Sequence, residues 1–519
     1  MDIGRLVARS ARRYAGRRAL DGPQGRQTFA EFGERVARLA RGLRSLGLQP
    51  GDRVLDLQPN QNTYVETDLG IPGAGLVRVA LNYRLHPSDW ARIADDCGAV
   101  ALVYDARFAE QTEELRSGLD PDRVVVIGDA PGRPYEKLLA EQSALPLLLS
   151  CDPDSLCGLH YSSGTTGHPK GAQRSHRNRM ASLVNMVTDV VGSLPGPDDV
   201  YVHAGPITHT SGLFVLPFLA HGATQLILPT WDPEALVDAV ENRGATHTAL
   251  VPTMIARLLA VPEVDRDRMR GLKMLGYAGA PMPSEQIRAA HERLTPNLVQ
   301  YYGLVEAIPP VTILDAADHA RGLTDAPALL TSAGRPAFGV EVSIVDESGR
   351  EVPVGEVGEV VTRGDHVMPG YWNAEGRADL SKSVRDGWLH TGDLGRLDDA
   401  ERLWLVDRKG DMIISGGYNI YPREVEDIVA EVPGVHEVAV VGVDDRDWGQ
   451  RVVALVTVEP ETSVTPEAII EHCRARMASY KKPKDVRLVD SFPLNSTGKI
   501  AKKQLREQLN AEATATWNG

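Results

Sequence analysis

Cysteine is scarce in this chain, with four residues in 519, and Cys97, Cys151, Cys157 and Cys473 are scattered without a Cys-x-x-Cys pair. That spacing argues against a disulfide framework or a zinc site and leaves buried reduced thiols in a cytoplasmic enzyme as the expectation. No apolar run approaches the length of a membrane span, and the longest, 213–220, is interrupted by Pro217, so stable membrane insertion is not expected. Basic residues are outnumbered, with 56 Lys and Arg against 70 Asp and Glu for a formal charge of −14. A phosphate-backbone binder wants a basic face, so no nucleic-acid partner is expected. Internal repeats and low-complexity tracts are also missing.

What is present is an alternation of helices and short apolar strands. Arg5, Arg9, Arg12, Arg13, Arg17 and Arg18 give the start of the chain the composition of a transit peptide. Ile3, Leu6, Val7 and Tyr14 nonetheless recur at helical spacing, so an amphipathic first helix with a solvated charged face is expected. A helix follows over 28–46, then strands over 53–57, 101–104 and 124–127 with a helix over 90–97. The region 198–330 repeats the pattern, which implies α/β layers with ligands at the carboxyl ends of the strands. After Gly339 the strands are separated by Gly and Asp turns, as in a small β-rich subdomain, and beyond about Asp411 a compact α+β unit resumes. The length requires two or more domains. The expected division is 1–409 and 410–519, with Gly410 as a hinge because glycine absorbs large backbone rotations.

One loop carries most of the chemistry. Tyr161-Ser162-Ser163-Gly164-Thr165-Thr166-Gly167-His168-Pro169-Lys170-Gly171 follows an apolar run. Glycines and hydroxyls of this kind can wrap a phosphate, and Lys170 adds a mobile charge. The segment is not a Walker A motif, which has Gly-x-x-x-x-Gly-Lys-Ser/Thr opening a helix. A flexible Ser/Gly linker is the competing reading, but linkers seldom carry Tyr at one end and Pro-Lys-Gly at the other. Five further polar, glycine-bearing segments stand at strand ends or in late turns: 206–212, 277–281, 301–306, 387–393 and 495–499.

In this set and order the chain resembles the adenylate-forming superfamily of acyl-CoA and aryl-CoA synthetases, luciferases and peptide-synthetase adenylation domains. The resemblance spans essentially the whole chain. It implies a large amino-terminal domain of layered α/β subdomains and a small mobile α+β carboxy-terminal domain. It also implies ATP, Mg2+ and coenzyme A as cofactors. A carboxylate attacks ATP to give an acyl-adenylate and pyrophosphate, and a thiol then takes the acyl group. By the same resemblance, Ser162, Ser163, Gly164, Thr165, Thr166, Gly167 and Lys170 contact the phosphates, and Glu306 with Thr166 holds the metal. Tyr302, beside Tyr301 and Gly303, would stack on adenine opposite Gly279, Ala280 and Pro281. Asp393 would accept from the ribose hydroxyls, Arg408 would contact the ribose side, and Lys499 would stabilise the transferring oxygen. Such charge neutralisation is needed because a carboxylate is a poor nucleophile toward a polyanion.

Each role has a plain competitor. Asp393 after Thr-Gly is also a turn cap, Tyr302 also a core residue, and Lys499 one of a cluster with Lys481, Lys482, Lys484, Lys502 and Lys503. His209 is either a satisfied core histidine or the residue between acyl pocket and thiol tunnel, with Ser211-Gly212 leaving space beside it. The family's usual Thr before the Glu is Val305 here, which removes a hydrogen bond typically worth about 1.5–3 kcal/mol.

The segment Gly416-Gly417-Tyr418 through Glu426 resembles the loop that CoA ligases swing into the site, with a firm helix start at Pro422. A carrier protein bearing phosphopantetheine is the alternative acceptor. A non-catalytic binding module is disfavoured by Lys499, Glu306 and Asp393 together. The acyl pocket is expected at His209, Gly212, Leu213, Val251, Thr253, Ala278, Gly279, Gly303 and Val305. It is apolar and lacks an Asp for an α-amino group, so a hydrophobic acid, whether fatty, aryl or polycyclic, is the expected small-molecule partner. A homodimer is admitted for the assembly.

Overall fold

The computed structural model describes residues 1–143, 145, 151–162, 170–372, 378–379, 383–416, 418–446, 448–459, 462–494 and 500–517. Two nine-stranded sheets form the amino-terminal part. In one, Arg18–Gly22, Thr224–Ile227, Val200–His203, His247–Leu250, Met274–Tyr277 and Leu298–Leu304 run parallel in that spatial order, and Ala307–Leu314 returns antiparallel. In the other, Val124–Ile127, Ala101–Asp105, Arg53–Leu57, Val77–Ala80 and Leu156–Ser162 are parallel, and Lys170–Ser175 folds back antiparallel. Parallel strands joined by crossover helices are covered on both faces, so they read as short unbroken apolar runs. Val124–Ile127, all Val and Ile, is buried throughout.

Helices begin where the sequence supplies caps. Thr28 and Glu31 bond reciprocally at the start of Phe29–Ser45, a capping box worth about 1 kcal/mol. Asp2 caps Ile3–Arg13, which buries Ile3, Leu6 and Val7 as its spacing predicts. The helix Asn62–Gly73 escapes the sequence pattern because it is buried on every side, polar residues included, and so has no apolar stripe. Its Glu66 meets Arg35 at 2.6 Å, and its Asp68 meets Arg78 at 2.9 Å and Arg179 at 2.8 Å. Arg78 also binds Asp56 at 2.6 Å. Unpaired, each of these buried charges would cost several kcal/mol.

Beyond Gly339, a five-stranded sheet contains Glu341–Val345, Gly358–Arg363, Val384–Arg385 and Trp388–Leu397, with Leu403–Arg408 paired to the last. A separate sheet starts at Ile413–Ser415 and adds Tyr418–Ile420, Gly449–Val458, Val435–Asp445 and Asp485–Leu488. The change of sheet therefore falls between Arg408 and Ile413. Pro422–Ala430 has no side-chain cap from its own Tyr421. Its first turn is instead tied to the preceding sheet, where Asp407 Oδ2 accepts from Arg423 N at 2.9 Å.

Candidate active site

The strands Leu156–Ser162 and Lys170–Ser175 form a hairpin in which Ser162 pairs with Lys170, bringing the two ends of the glycine- and hydroxyl-rich motif side by side. Ser163, Gly164, Thr165, Thr166 and Gly167 lie outside the described residues, as do Gly417 and Lys499. Tyr161 anchors the base by donating to Asp96 Oδ2 at 2.5 Å. Gly171 lets that ring pass, since a Cβ there would stand 2.8 Å from Tyr161 Cζ.

Beside Lys170 lies an arrangement that sequence reasoning missed. The two-residue strand Tyr371–Trp372 adds to this sheet, with Tyr371 opposite Ala172. The Tyr371 hydroxyl donates to Glu306 Oε1 at 2.6 Å, and Lys170 Nζ stands 5.4 Å from the centre of the Tyr371 ring. Burial and the Glu306 charge push the hydroxyl well above the usual tyrosine range, so it stays a donor. The second Glu306 oxygen accepts no hydrogen bond among the described residues. A half-buried carboxylate with one open oxygen fits Mg2+, which takes one or two carboxylates and fills its shell with phosphate oxygens and water. Among the described residues no cluster of three or more His, Cys, Asp or Glu could hold a metal by itself.

Tyr302 and Asp393 come from different sheets and meet. The Tyr302 hydroxyl donates to Asp393 Oδ2 at 2.5 Å, and Arg408 Nε lies 2.6 Å from Asp393 Oδ1. Asp393 faces Arg408 across the pairing of Trp388–Leu397 with Leu403–Arg408, and its own N–H donates to Thr391 Oγ1. Gly279, Ala280 and Pro281 follow the strand Met274–Tyr277 and are exposed, with Gly279 at φ 89°. Tyr301 departs from the expectation of a nucleotide contact. Successive strand residues point to opposite faces, and its side chain is 1% exposed, packed edge-on against Phe214.

The expected acyl-pocket residues do not all gather. Ala278, Leu213 and Val305 share one apolar cluster with Tyr201, Phe214, Phe218 and Tyr301. Those aromatic residues were not singled out in the sequence, because each reads as ordinary core. Tyr201 stacks on Phe214 at 4.5 Å, and the Tyr301 hydroxyl is buried without a partner among the described residues. Met186 and Val190 join from the π-helical segment Met186–Val191, a wide turn of the kind often found at functional sites. Gly212 does not leave space beside His209, since a Cβ there would meet the Ile207 carbonyl oxygen at 2.2 Å. Gly303 likewise makes room for Pro309, 2.7 Å from where its Cβ would stand, rather than for a ligand. Val251 is half-buried ahead of the helix Pro252–Leu259, and Thr253 in that helix is exposed.

His209 is exposed and its Nε2 is 3.3 Å from Asn82 Nδ2. Asn82 follows the carboxyl end of the strand Val77–Ala80, a polar residue at a strand end that the motif search passed over. Nearby His160 is held well below the usual histidine range by burial and by Arg174, Arg78 and Arg179, so it is neutral. Cys97 and Cys157 are buried, which pushes both thiols up to about 12 and leaves them unreactive.

Comparison with known proteins matches the AMP-binding enzyme family over residues 7–372 and the AMP-binding enzyme C-terminal domain over 424–499. The chain belongs to the AMP-binding enzyme family. It is an adenylate-forming enzyme of the acyl-CoA synthetase type, an AMP-forming acid–thiol ligase. A feruloyl-CoA synthase of an Amycolatopsis species is 37% identical over 93% of this chain and 94% of its own length. An indoleacetate–CoA ligase of Aromatoleum aromaticum is 34% identical over 99% of each chain. Among solved structures, ATP-bound MatB of Rhodopseudomonas palustris superposes with a TM-score of 0.88 at 28% identity, covering 98% of this chain and 99% of that one. The amide bond synthetase McbA of Marinactinospora thermotolerans gives 0.87 at 30% identity, covering 98% and 100%.

In this AMP-binding enzyme the carboxy-terminal unit presents an exposed aromatic and basic face. Tyr418 stacks on Tyr480 at 4.5 Å, and Lys484 Nζ lies 4.4 Å from the Trp448 ring centre. Gly416 is required at φ 58°, where a Cβ would stand 2.7 Å from Trp448 Cε3. Its missing side chain thus admits the Trp448 ring.

Proposed function

We propose that this enzyme activates an aromatic carboxylic acid as its acyl-adenylate and transfers the acyl group to coenzyme A. One observation carries the choice of acid: the cluster of Tyr201, Phe214, Phe218 and Tyr301 with Leu213 and Ala278 reaches Val305, the residue preceding Glu306. The four rings are buried, and the partly buried Leu213 and Val305 packed against them offer an aryl group an apolar surface with aromatic backing, where ring contacts are worth about 0.5–1.5 kcal/mol beyond area burial. The relatives named for ferulate and indoleacetate point the same way.

In this reading Lys170 and the loop 162–169 neutralise the β- and γ-phosphates. Glu306 with Thr166 holds Mg2+, which when bound offsets the charge that builds on the phosphates. Tyr302 and the Gly279-Ala280-Pro281 wall flank the adenine, and Asp393 with Arg408 orients the ribose. Lys499 stabilises the oxygen transferred during adenylation, and His209 stands at the boundary between acid and thiol. Gly416, Gly417 and Tyr418 accompany the pantetheine arm, with Trp448, Tyr480 and Lys484 facing the nucleotide end of coenzyme A.

Pyrophosphate release across short, long-chain, aromatic and polycyclic acids tests the acid, and thioester formation with coenzyme A against a phosphopantetheinyl carrier protein tests the acceptor. Preference for an aryl acid and free coenzyme A is expected. A long-chain acid preferred over every aryl acid would overturn the substrate reading, and thioester formed only on the carrier would overturn the acceptor.

A further inference from the structure

We propose that Tyr371 is a positioning residue that holds the Glu306 carboxylate with one oxygen free for a divalent cation and keeps it from pairing with Lys170. The inference rests on the reading of Glu306 as the metal-holding carboxylate. The segment carrying Tyr371 grips Glu306 twice: Met368 N donates to the Glu306 carbonyl at 2.8 Å, and the Tyr371 hydroxyl donates to Oε1 at 2.6 Å. The same segment is fixed to the loop-bearing hairpin, where Gln173 N donates to Gly370 O at 3.0 Å and Tyr371 pairs with Ala172. Tyr371 thereby ties the strand that delivers Lys170 to the turn that delivers Glu306.

The same side chain also meets two opposite charges. Lys170 Nζ lies 5.4 Å from the Tyr371 ring centre, and no ion pair joins Lys170 to Glu306 among the described residues. Had the two paired, each would have to be released before meeting phosphate or metal. With Oε1 anchored by a hydroxyl and the ammonium resting at the ring, Glu306 holds its other oxygen in a fixed direction and Lys170 keeps its charge available for an anion.

The test is calorimetric binding of ATP to the full-length protein at increasing Mg2+, with AMP binding in chelator and the melting temperature as companion readouts. Tyr371→Phe keeps the ring and should raise the Mg2+ concentration for half-maximal ATP binding about tenfold, the lower end for loss of a group that orients a metal ligand. AMP affinity should match the wild type, and the melting temperature should fall by no more than a few degrees. Glu306→Gln should raise the Mg2+ requirement at least as far. If Glu306→Gln raises it and Tyr371→Phe does not, Tyr371 is packing only and the proposal is overturned while the metal reading stands. If Glu306→Gln changes nothing, the metal reading fails and the proposal with it. Should Tyr371→Phe fail to fold, Tyr371→Met serves the same titration.

Discussion

Tyr302→Phe keeps an aromatic ring at the proposed nucleotide site and deletes one hydroxyl. That hydroxyl lies 2.5 Å from Asp393 Oδ2, and Asp393 is 6% exposed. A hydrogen bond to a charged acceptor contributes about 1.5–3 kcal/mol. Arg408 on the other oxygen is a weaker substitute, because its side chain is 59% exposed and solvent screens its charge. Loss of about 2 kcal/mol from the orientation of Asp393 corresponds to about thirtyfold in an equilibrium constant. Each carboxylate oxygen has two acceptor sites, so Tyr302 and a ribose hydroxyl can share Oδ2 rather than compete. Calorimetric titration with AMP, without acid or metal, should therefore show weaker binding in the variant, by up to about thirtyfold. Unchanged binding would mean that Asp393 is oriented without the Tyr302 hydroxyl, and the reasoning would be refuted. Tighter binding would mean that the tyrosine competes with the ribose, and the reasoning would be wrong.

Val305→Thr should leave adenylation equal or faster, since the added hydroxyl restores a contact worth up to about 3 kcal/mol; a large drop in pyrophosphate release would make Val305 an essential wall of the acyl pocket. Gly410→Ala should turn over normally because a Cβ there meets nothing within 4 Å. Gly410→Pro, which fixes φ, should slow thioester formation about tenfold or more, and undiminished turnover would exclude a hinge at this position. Burial pushes His203 and His319 down to about 4, while the unfolded chain takes up protons below about 6.5. Stability from these groups is thus present above about pH 6.5 and lost as pH falls toward 4. The melting temperature should drop between pH 7 and pH 5, and less in His203→Gln; an equal drop would show that His203 does not contribute.

How legible each part was depended on whether its cause lay nearby in the chain. The strand over 53–57 and the helix Pro233–Asn242, capped by Asp232, follow from residues within a few positions of each other. Asn62–Gly73 did not, because its polar residues are balanced by Arg35, Arg78 and Arg179 from elsewhere. Glycines misled in a consistent way. Gly212 and Gly303 look like room for a ligand, whereas each is matched to a protein atom brought close by the fold.

Taken alone, the residues determined the α/β class, the order of the elements and the candidate side chains for phosphate, ribose and metal chemistry, since periodicity and motif chemistry are local properties. Tertiary structure alone decided which of them meet. It set Tyr302 against Asp393, brought Tyr371 to both Lys170 and Glu306, packed four aromatic rings into the core beside Leu213 and Val305 and gave the helix at Pro422 its cap from Asp407. Hydrogen bonds and packing act over a few ångströms in space whatever the distance along the chain, so 65 residues separate Tyr371 from Glu306 and 91 separate Tyr302 from Asp393 in sequence while their oxygens touch.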